Sequence, residues 1–254
     1  AAARYAPGLV PQGVSAELIG ARWGLARAEL DQFAARSHQR AAAARAAGQF
    51  KREIVPIEVD GRIVAEDETI RPATTAEALA ALQPAFRSEE MSARFPQIVW
   101  QTTAGNSSQM TDGASALLLM SERAAERLGL RPRARFVSFD VRGDSALEML
   151  TAPIPSSRVA LTKAGLSVGD IDHIEINEAF ATVPLAWLKE LGADPARLNP
   201  RGGAIALGHP LGASGARLMC TMLHGLEDVG GRYGLQSMCE AGGMANTTII
   251  ERLT

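Results

Sequence analysis

Residues 171–252 alternate between short apolar strands and helices, and this alternation restricts the possible folds more than any other feature of the chain. IDHIEI at 171–176 predicts a strand, and NEAFATVPLAWLKELG predicts a helix that opens directly from it and stops at Gly192. ARLMCTMLHGLED predicts a second helix, and two strands, LQSMC and NTTIIERL, flank an AGG turn. The sequence therefore predicts an α/β fold.

The preceding part of the chain contains a second set of elements. Strong helix formers predict a helix over 25–49, and KREIVPIEV predicts a strand over 51–59. The Asp-Gly pair at 60–61 is typical of a hairpin turn. ALLLM at 116–120 predicts a short buried strand, and Ser121 is placed to cap the helix that follows.

The composition excludes several classes of function. Lys and Arg total 26 against 28 Asp and Glu, so no basic surface favours a nucleic-acid partner. No apolar run reaches the roughly 18 residues that a membrane span needs, and no signal peptide is recognisable. Two cysteines are too few for a disulfide framework, which favours a reducing compartment and a cytoplasmic location.

Three reactive or polar side chains lie at the ends of regular elements, among small residues. They are Asn177, His209 and Cys239. Ligands of α/β proteins bind beyond the carboxyl ends of strands, so this placement suits a site. Each also has an ordinary structural interpretation: a helix cap for Asn177, a capping or packed residue for His209, and a small hydrophobe for Cys239. Glu178 is expected to interact with the dipole of the following helix.

Three motifs taken in order, NEAFA, GGAIALGHPLGASG and MCEAGG, resemble the C-terminal signatures of the thiolases. GLVPQGVSAELIGARWGL is similar to the thiolase loop domain, and TTAGNSSQMTDGASALLLM is similar to the segment that leads out of it. The resemblance implies a layered αβαβα sandwich built from two similar halves. It assigns 1–107 to the loop domain, 108–132 to the closing segment of the N-terminal half and 133–254 to the C-terminal half.

The resemblance also implies roles for individual residues. His209 matches the histidine that takes a proton from the nucleophilic cysteine, and Cys239 matches a second cysteine that acts as acid and base. Asn177 matches the asparagine whose bound water forms an oxyanion hole with the histidine. Ala241 matches a backbone N–H of a second oxyanion hole, which requires a negative φ at this residue. Ser108 matches a serine that contacts the pantetheine of coenzyme A, although a turn serine is an equal interpretation.

The nucleophilic cysteine of the family, which lies upstream of the loop domain, has no counterpart in this sequence. Cys239 occupies the second position, and Cys220 lies in a predicted helix and is expected in the core. We expect residues 1–254 to be part of a longer polypeptide, rather than one subunit of a split enzyme, and to be inactive alone. The CEAGG motif also departs from the Cys-X-Gly-Gly-Gly found in many thiolases.

The resemblance implies thiolytic cleavage of a 3-ketoacyl-CoA, with coenzyme A as a substrate, no tightly bound cofactor and no metal. The implied partners are acyl-CoA and CoA, and the implied assembly is a homodimer or homotetramer. Two alternatives stay open. A biosynthetic acetoacetyl-CoA thiolase shares every motif named above, and a catalytically silent thiolase-like subunit could lack the nucleophile altogether.

Overall fold

The computed structural model describes residues 8–253. Its helices are α1 (Gln12–Arg22), α2 (Arg27–Ala46), α3 (Ala76–Ala80), α4 (Glu89–Arg94), α5 (Glu122–Leu128), α6 (Pro153–Ala164), α7 (Thr182–Leu191), α8 (Ala204–Leu207) and α9 (Ser214–Val229). Its strands are β1 (Ile57–Val59), β2 (Arg62–Val64), β3 (Ala134–Gly143), β4 (His173–Ile176), β5 (Tyr233–Glu240) and β6 (Met244–Arg252). No helix in this part of the chain combines the length and apolar character that a membrane crossing requires.

The central element is a four-stranded mixed sheet in the order β3-β6-β5-β4. Strand β4 pairs parallel to β5 and is buried along its whole length, while β6 runs antiparallel to both of its neighbours. A parallel pair needs a crossover connection, which the chain between β4 and β5 supplies through helices α7 and α9. The C-terminal α/β prediction is confirmed.

Helices cover both faces of this sheet. Adjacent residues of a strand point to opposite faces, and β6 illustrates this with two isoleucines. Ile249 belongs to the apolar cluster that contains Leu161 of α6, whereas Ile250 packs with Met222 and Leu226 of α9. The sheet is therefore the middle of three layers, with α6 and α9 on opposite sides.

On the face of the sheet that α9 covers, the apolar side chains of the edge strand β3 are exposed. Phe136 lies opposite Ile250, which places it on the α9 side of the sheet. Phe139 and Val141 follow on the same strand and are 67% and 65% exposed. These three residues, Phe136, Phe139 and Val141, form a bare apolar patch on the outer strand of the sheet.

The predictions for the first half of the chain are partly confirmed. Helix α2 matches the predicted helix over 25–49, and Asp60 and Gly61 form the predicted turn with φ of 50° and 75°. The strand predicted over 51–59 is confined to Ile57–Val59.

The strand prediction for 116–120 is wrong, because this segment is irregular and pairs with no strand among residues 8–253. Leu118 in this segment is 81% exposed. Directly after it, the Ser121 hydroxyl accepts a hydrogen bond from the Ala124 N–H at 3.3 Å, which confirms the predicted cap of α5.

The helix predicted to open directly from β4 begins later than expected. Residues 177–181 form a loop, and α7 starts at Thr182. Asn177 makes no capping bond to this helix, whose N-cap position is Ala181. The loop leaves the Asn177 side chain available for contacts at the edge of the sheet.

Candidate active site

Asn177 and Cys239 lie at the same edge of the sheet, because β4 and β5 are parallel and both end there. The Asn177 N–H donates to the Ser237 carbonyl at 3.1 Å, and Cys239 lies two residues further along β5. Asn177 is 1% exposed, and its side-chain oxygen is buried with no hydrogen-bond partner among the described residues. A buried acceptor of this kind normally binds a water or a ligand.

His209 reaches this edge from the glycine-rich loop between α8 and α9. Gly208 precedes it with a φ of 84°, and a Cβ there would lie 2.4 Å from the side chain of Thr111. The His209 N–H donates to the Gln109 carbonyl at 2.9 Å, which fixes the loop. The imidazole Nε2 lies 3.5 Å from Nδ2 of Asn177, so the two polar side chains meet.

The hydrogen bonds of Ser214 determine the tautomer of His209. The Ser214 hydroxyl donates its one proton to the Pro210 carbonyl at 2.9 Å. Its oxygen therefore accepts from Nδ1–H of His209, 2.6 Å away, and the Nε2 lone pair is left facing Asn177. Burial, and then the charge of Arg217, lower the pKa of His209 below its ordinary value. The imidazole can thus act as a neutral base through Nε2.

Cys239 is suited to donate a proton. The side chain is half-buried, and burial raises the pKa of its thiol to about 12. The thiol therefore stays protonated across the ordinary pH range, whereas a nucleophilic cysteine needs a lowered pKa. The raised pKa of the thiol favours an acid–base group over an attacking thiolate.

Ala241 lies exposed in the turn between β5 and β6. The left-handed conformations of this turn fall on Gly242 and Gly243, with φ of 81° and 86°, and Ala241 is not among the residues of positive φ. The backbone condition for an N–H donor at Ala241 is met.

Ser108 lies beside the loop that carries Asn177. Its N–H donates to the Ala179 carbonyl at 3.0 Å, and its side chain is half-buried.

Cys220 is half-buried on α9, and its sulfur lies 3.9 Å from the Ala116 carbonyl. The expectation that Cys220 lies in the core is therefore wrong. Among residues 8–253 no cluster of three His, Cys, Asp or Glu side chains could hold a metal ion.

Glu178 has a role that the sequence did not indicate. Its carboxylate accepts from the Ser37 hydroxyl at 2.7 Å, the Asn199 amide at 2.9 Å and the Ile205 N–H at 3.1 Å. Burial raises its pKa. The expectation of a helix-dipole contact is wrong, because α7 begins four residues later. Glu178 instead connects α2 to α8, the helix that precedes the loop carrying His209.

Gly203 is required by the close approach of Glu178. A Cβ at Gly203 would lie 2.3 Å from the Glu178 carboxyl carbon. We expect Gly203→Ala to lower the free energy of unfolding by about 1–3 kcal/mol, the usual cost of overpacking. Urea unfolding measures this, with Gly212→Ala as the control, since a Cβ at Gly212 meets no atom within 4 Å. Equal stability of the two variants would contradict the role given to Glu178.

Comparisons with known proteins agree on one family. The model of the thiolase N-terminal domain matches residues 8–123, and that of the thiolase C-terminal domain matches residues 130–252. The boundary between them falls within the predicted closing segment 108–132, and the three-part division of the chain stays a prediction.

Individual relatives point the same way. A steroid 3-ketoacyl-CoA thiolase of Mycobacterium tuberculosis is 51% identical over 98% of this chain and 58% of its own length. An acetyl-CoA acetyltransferase of Paracoccus denitrificans is 44% identical over 94% of this chain and 60% of its own length. The chain thus spans about 60% of the length of these relatives.

Solved structures share the fold. Human mitochondrial 3-ketoacyl-CoA thiolase in complex with CoA superposes with a TM-score of 0.87 at 38% identity, over 96% of this chain and 59% of that one. An acetyl-CoA acetyltransferase of Bacillus anthracis gives a TM-score of 0.89 at 39% identity, over 96% of this chain and 60% of that one. The fold, the family models and the relatives are consistent with one another, and the chain belongs to the thiolase family.

Proposed function

We propose that residues 1–254 supply the acid–base half of a 3-ketoacyl-CoA thiolase, and that the nucleophilic cysteine comes from a segment outside them. The observation that carries this proposal is the meeting of His209 Nε2 with Asn177 at 3.5 Å, beside the strand end that bears Cys239. The names of the relatives, which include several 3-ketoacyl-CoA thiolases, support the same activity.

The reaction needs a nucleophile that attacks the ketone, a base that accepts the proton of the nucleophile and an acid that donates a proton to the carbon of the enolate. His209 accepts the proton of the nucleophilic thiol, and the thiolate adds to the 3-keto carbon. Cleavage of the bond between C2 and C3 leaves an acyl-enzyme and the enolate of acetyl-CoA, which takes its proton from Cys239. The Cys239 thiolate then removes the proton of an incoming CoA thiol, and that sulfur attacks the acyl carbonyl carbon and takes the acyl group. The nucleophilic cysteine leaves as a thiolate and recovers its proton from His209.

The thioester oxygen of the enolate carries negative charge. It accepts hydrogen bonds from a water bound to Asn177 and from His209 once the imidazole is protonated. The N–H of Ala241 serves the oxyanion formed at the ketone. Each fixed donor at a developing oxyanion is worth about 2.7–4 kcal/mol in the barrier. Burial of Asn177 strengthens the stabilisation of the enolate, because little other water competes for the enolate oxygen.

Coenzyme A enters as a substrate and leaves as the thioester of the shortened acyl group, and Ser108 contacts its pantetheine arm. The human relative whose structure contains CoA supports this part of the proposal. The relatives are named either 3-ketoacyl-CoA thiolase or acetyl-CoA acetyltransferase, and the degradative direction is the one proposed for this chain. A homodimer or homotetramer stays a prediction, which light scattering on the purified protein tests.

The test requires the nucleophile to be supplied. We define the assembled protein as residues 1–254 fused behind, or co-expressed with, the N-terminal portion of the mycobacterial relative. Cleavage of acetoacetyl-CoA and of a longer 3-ketoacyl-CoA by free CoA is then followed. Cleavage of the longer substrate supports the proposal, and cleavage of acetoacetyl-CoA alone would replace it with the biosynthetic alternative.

The pH dependence of the assembled protein gives a separate prediction. The pKa of His209 lies below its ordinary value of 6.5, so the neutral base persists below that pH. We expect kcat/KM to stay constant from neutral pH down past 6.5 and to fall only at lower pH, as His209 is protonated. An acid limb centred at or above pH 6.5 would contradict this assignment of the base.

A further inference from the structure

One face of α9 carries a polar stripe at positions 214, 217, 221 and 224, whose spacing places them in line. At one end Ser214 accepts from His209, as described above. Towards the other end the Thr221 hydroxyl donates to Glu53 at 3.3 Å. Arg217 lies between these two contacts, one turn along the helix from Ser214.

The guanidinium of Arg217 is buried without a partner. Its Nε, Nη1 and Nη2 atoms are all inaccessible, and none has a hydrogen-bond acceptor among residues 8–253. A guanidinium carries its charge at every accessible pH. Since no carboxylate among residues 8–253 bonds to this guanidinium and its nitrogen atoms are inaccessible to water, its field extends further than that of a surface arginine.

We propose that Arg217 is a positioning residue for His209, whose charge keeps the imidazole neutral so that Nε2 can accept a proton. This inference rests on the proposed role of His209 as the base. A nearby cation disfavours a second positive charge, so the protonated imidazole is destabilised while the neutral form is not. The direction agrees with the lowered pKa of His209, to which burial contributes most and Arg217 next.

Other charged groups near the loop are accounted for. Arg71 approaches from the loop after β2, with Nη2 at 3.3 Å from Oε1 of Gln109, but it is exposed to solvent. Glu53 contacts α9 through Thr221 and His224, each at 3.3 Å. Burial raises the pKa of Asp67, and Arg217 opposes that rise. Asn177 and Ser214, the groups in contact with the ring, are neutral.

The test measures the His209 pKa in the assembled protein by NMR titration of ¹³C-labelled histidines, with His209→Gln identifying the signal. We expect Arg217→Met to raise the His209 pKa by about 0.5–1 unit, a roughly 3- to 10-fold change in the protonation constant. Arg217→Lys keeps the charge and is expected to keep the pKa. The matched control, Arg71→Met, removes an exposed cation near the same loop and is expected to leave the pKa unchanged. A pKa in Arg217→Met equal to that of the unaltered protein would overturn the proposal.

A second variant keeps the proposal testable if Arg217→Met fails to fold. Arg217→Gln removes the same charge but keeps a polar side chain, so we expect the His209 pKa to rise as in Arg217→Met. A fall or no change would overturn the proposal. The titration needs no turnover: a protein with the predicted shifts but no thiolysis would refute the proposed function and leave the link between Arg217 and His209 standing.

Discussion

The assembled protein will cleave a 3-ketoacyl-CoA with free CoA, whereas residues 1–254 alone will not. Removal of an enzymatic nucleophile lowers turnover by about a million-fold, so the difference is close to all or none. Neither cysteine of this chain can substitute, because burial raises the pKa of both thiols. The control is the same assembly with the nucleophilic cysteine of the supplied portion replaced by alanine.

Solubility is expected to follow the same pattern. The segment at 116–120 exposes Leu118 and Leu119, and the bare apolar patch on β3 adds two strongly exposed side chains, Phe139 and Val141. Exposed apolar surface on an edge strand favours aggregation, so residues 1–254 alone are expected to be poorly soluble. A soluble monomer that cleaves substrate would mean that the chain contains a nucleophile. A soluble, stable and inactive chain that no assembly activates would favour the silent-subunit alternative.

Replacement of Cys239 by alanine will abolish most thiolysis in the assembled protein and leave the fold intact. Cys239 is half-buried opposite Ala245, and the smaller side chain fits this position. A lost general acid–base group costs about 10²- to 10⁴-fold in rate, and we expect kcat to fall by that factor. Circular dichroism and steady-state kinetics together separate the loss of activity from a loss of structure.

Cys220→Ala is the matched control for this replacement. Cys220 is also half-buried, but it lies on α9, and its sulfur approaches only the Ala116 carbonyl. We expect this variant to keep its activity. Retained activity in Cys239→Ala together with loss in Cys220→Ala would mean that the two cysteines have been assigned the wrong way round.

The sequence predicted the placement of Asn177 and Cys239 because the carboxyl ends of parallel strands meet at one edge, whatever the distance along the chain. The hydrogen bond between His209 and Ser214 could also have been predicted, because the two residues are only five positions apart. The contacts of Glu178 could not, because a glutamate that follows a strand usually lies at the start of a helix. Its partner Ser37 is 141 residues away, and only the folded chain brings them together.

The wrong strand at 116–120 has a different cause. ALLLM has the apolar character of a buried strand, but a strand requires a neighbour to satisfy its N–H and C=O groups. No strand among residues 8–253 lies alongside it, so the local preference is not realised. The burial of Arg217 could not be predicted either, because an arginine in an amphipathic helix normally lies on the solvated face.

The most direct test of the account locates the acyl group after reaction. The assembled protein, co-expressed as two chains, is mixed with a 3-ketoacyl-CoA without free CoA, and both chains are analysed by intact-mass spectrometry and peptide mapping. We predict an acyl group on the cysteine of the supplied portion and unmodified Cys239 and Cys220. An acyl group on either cysteine of residues 1–254 would contradict it, since that cysteine would then be the nucleophile.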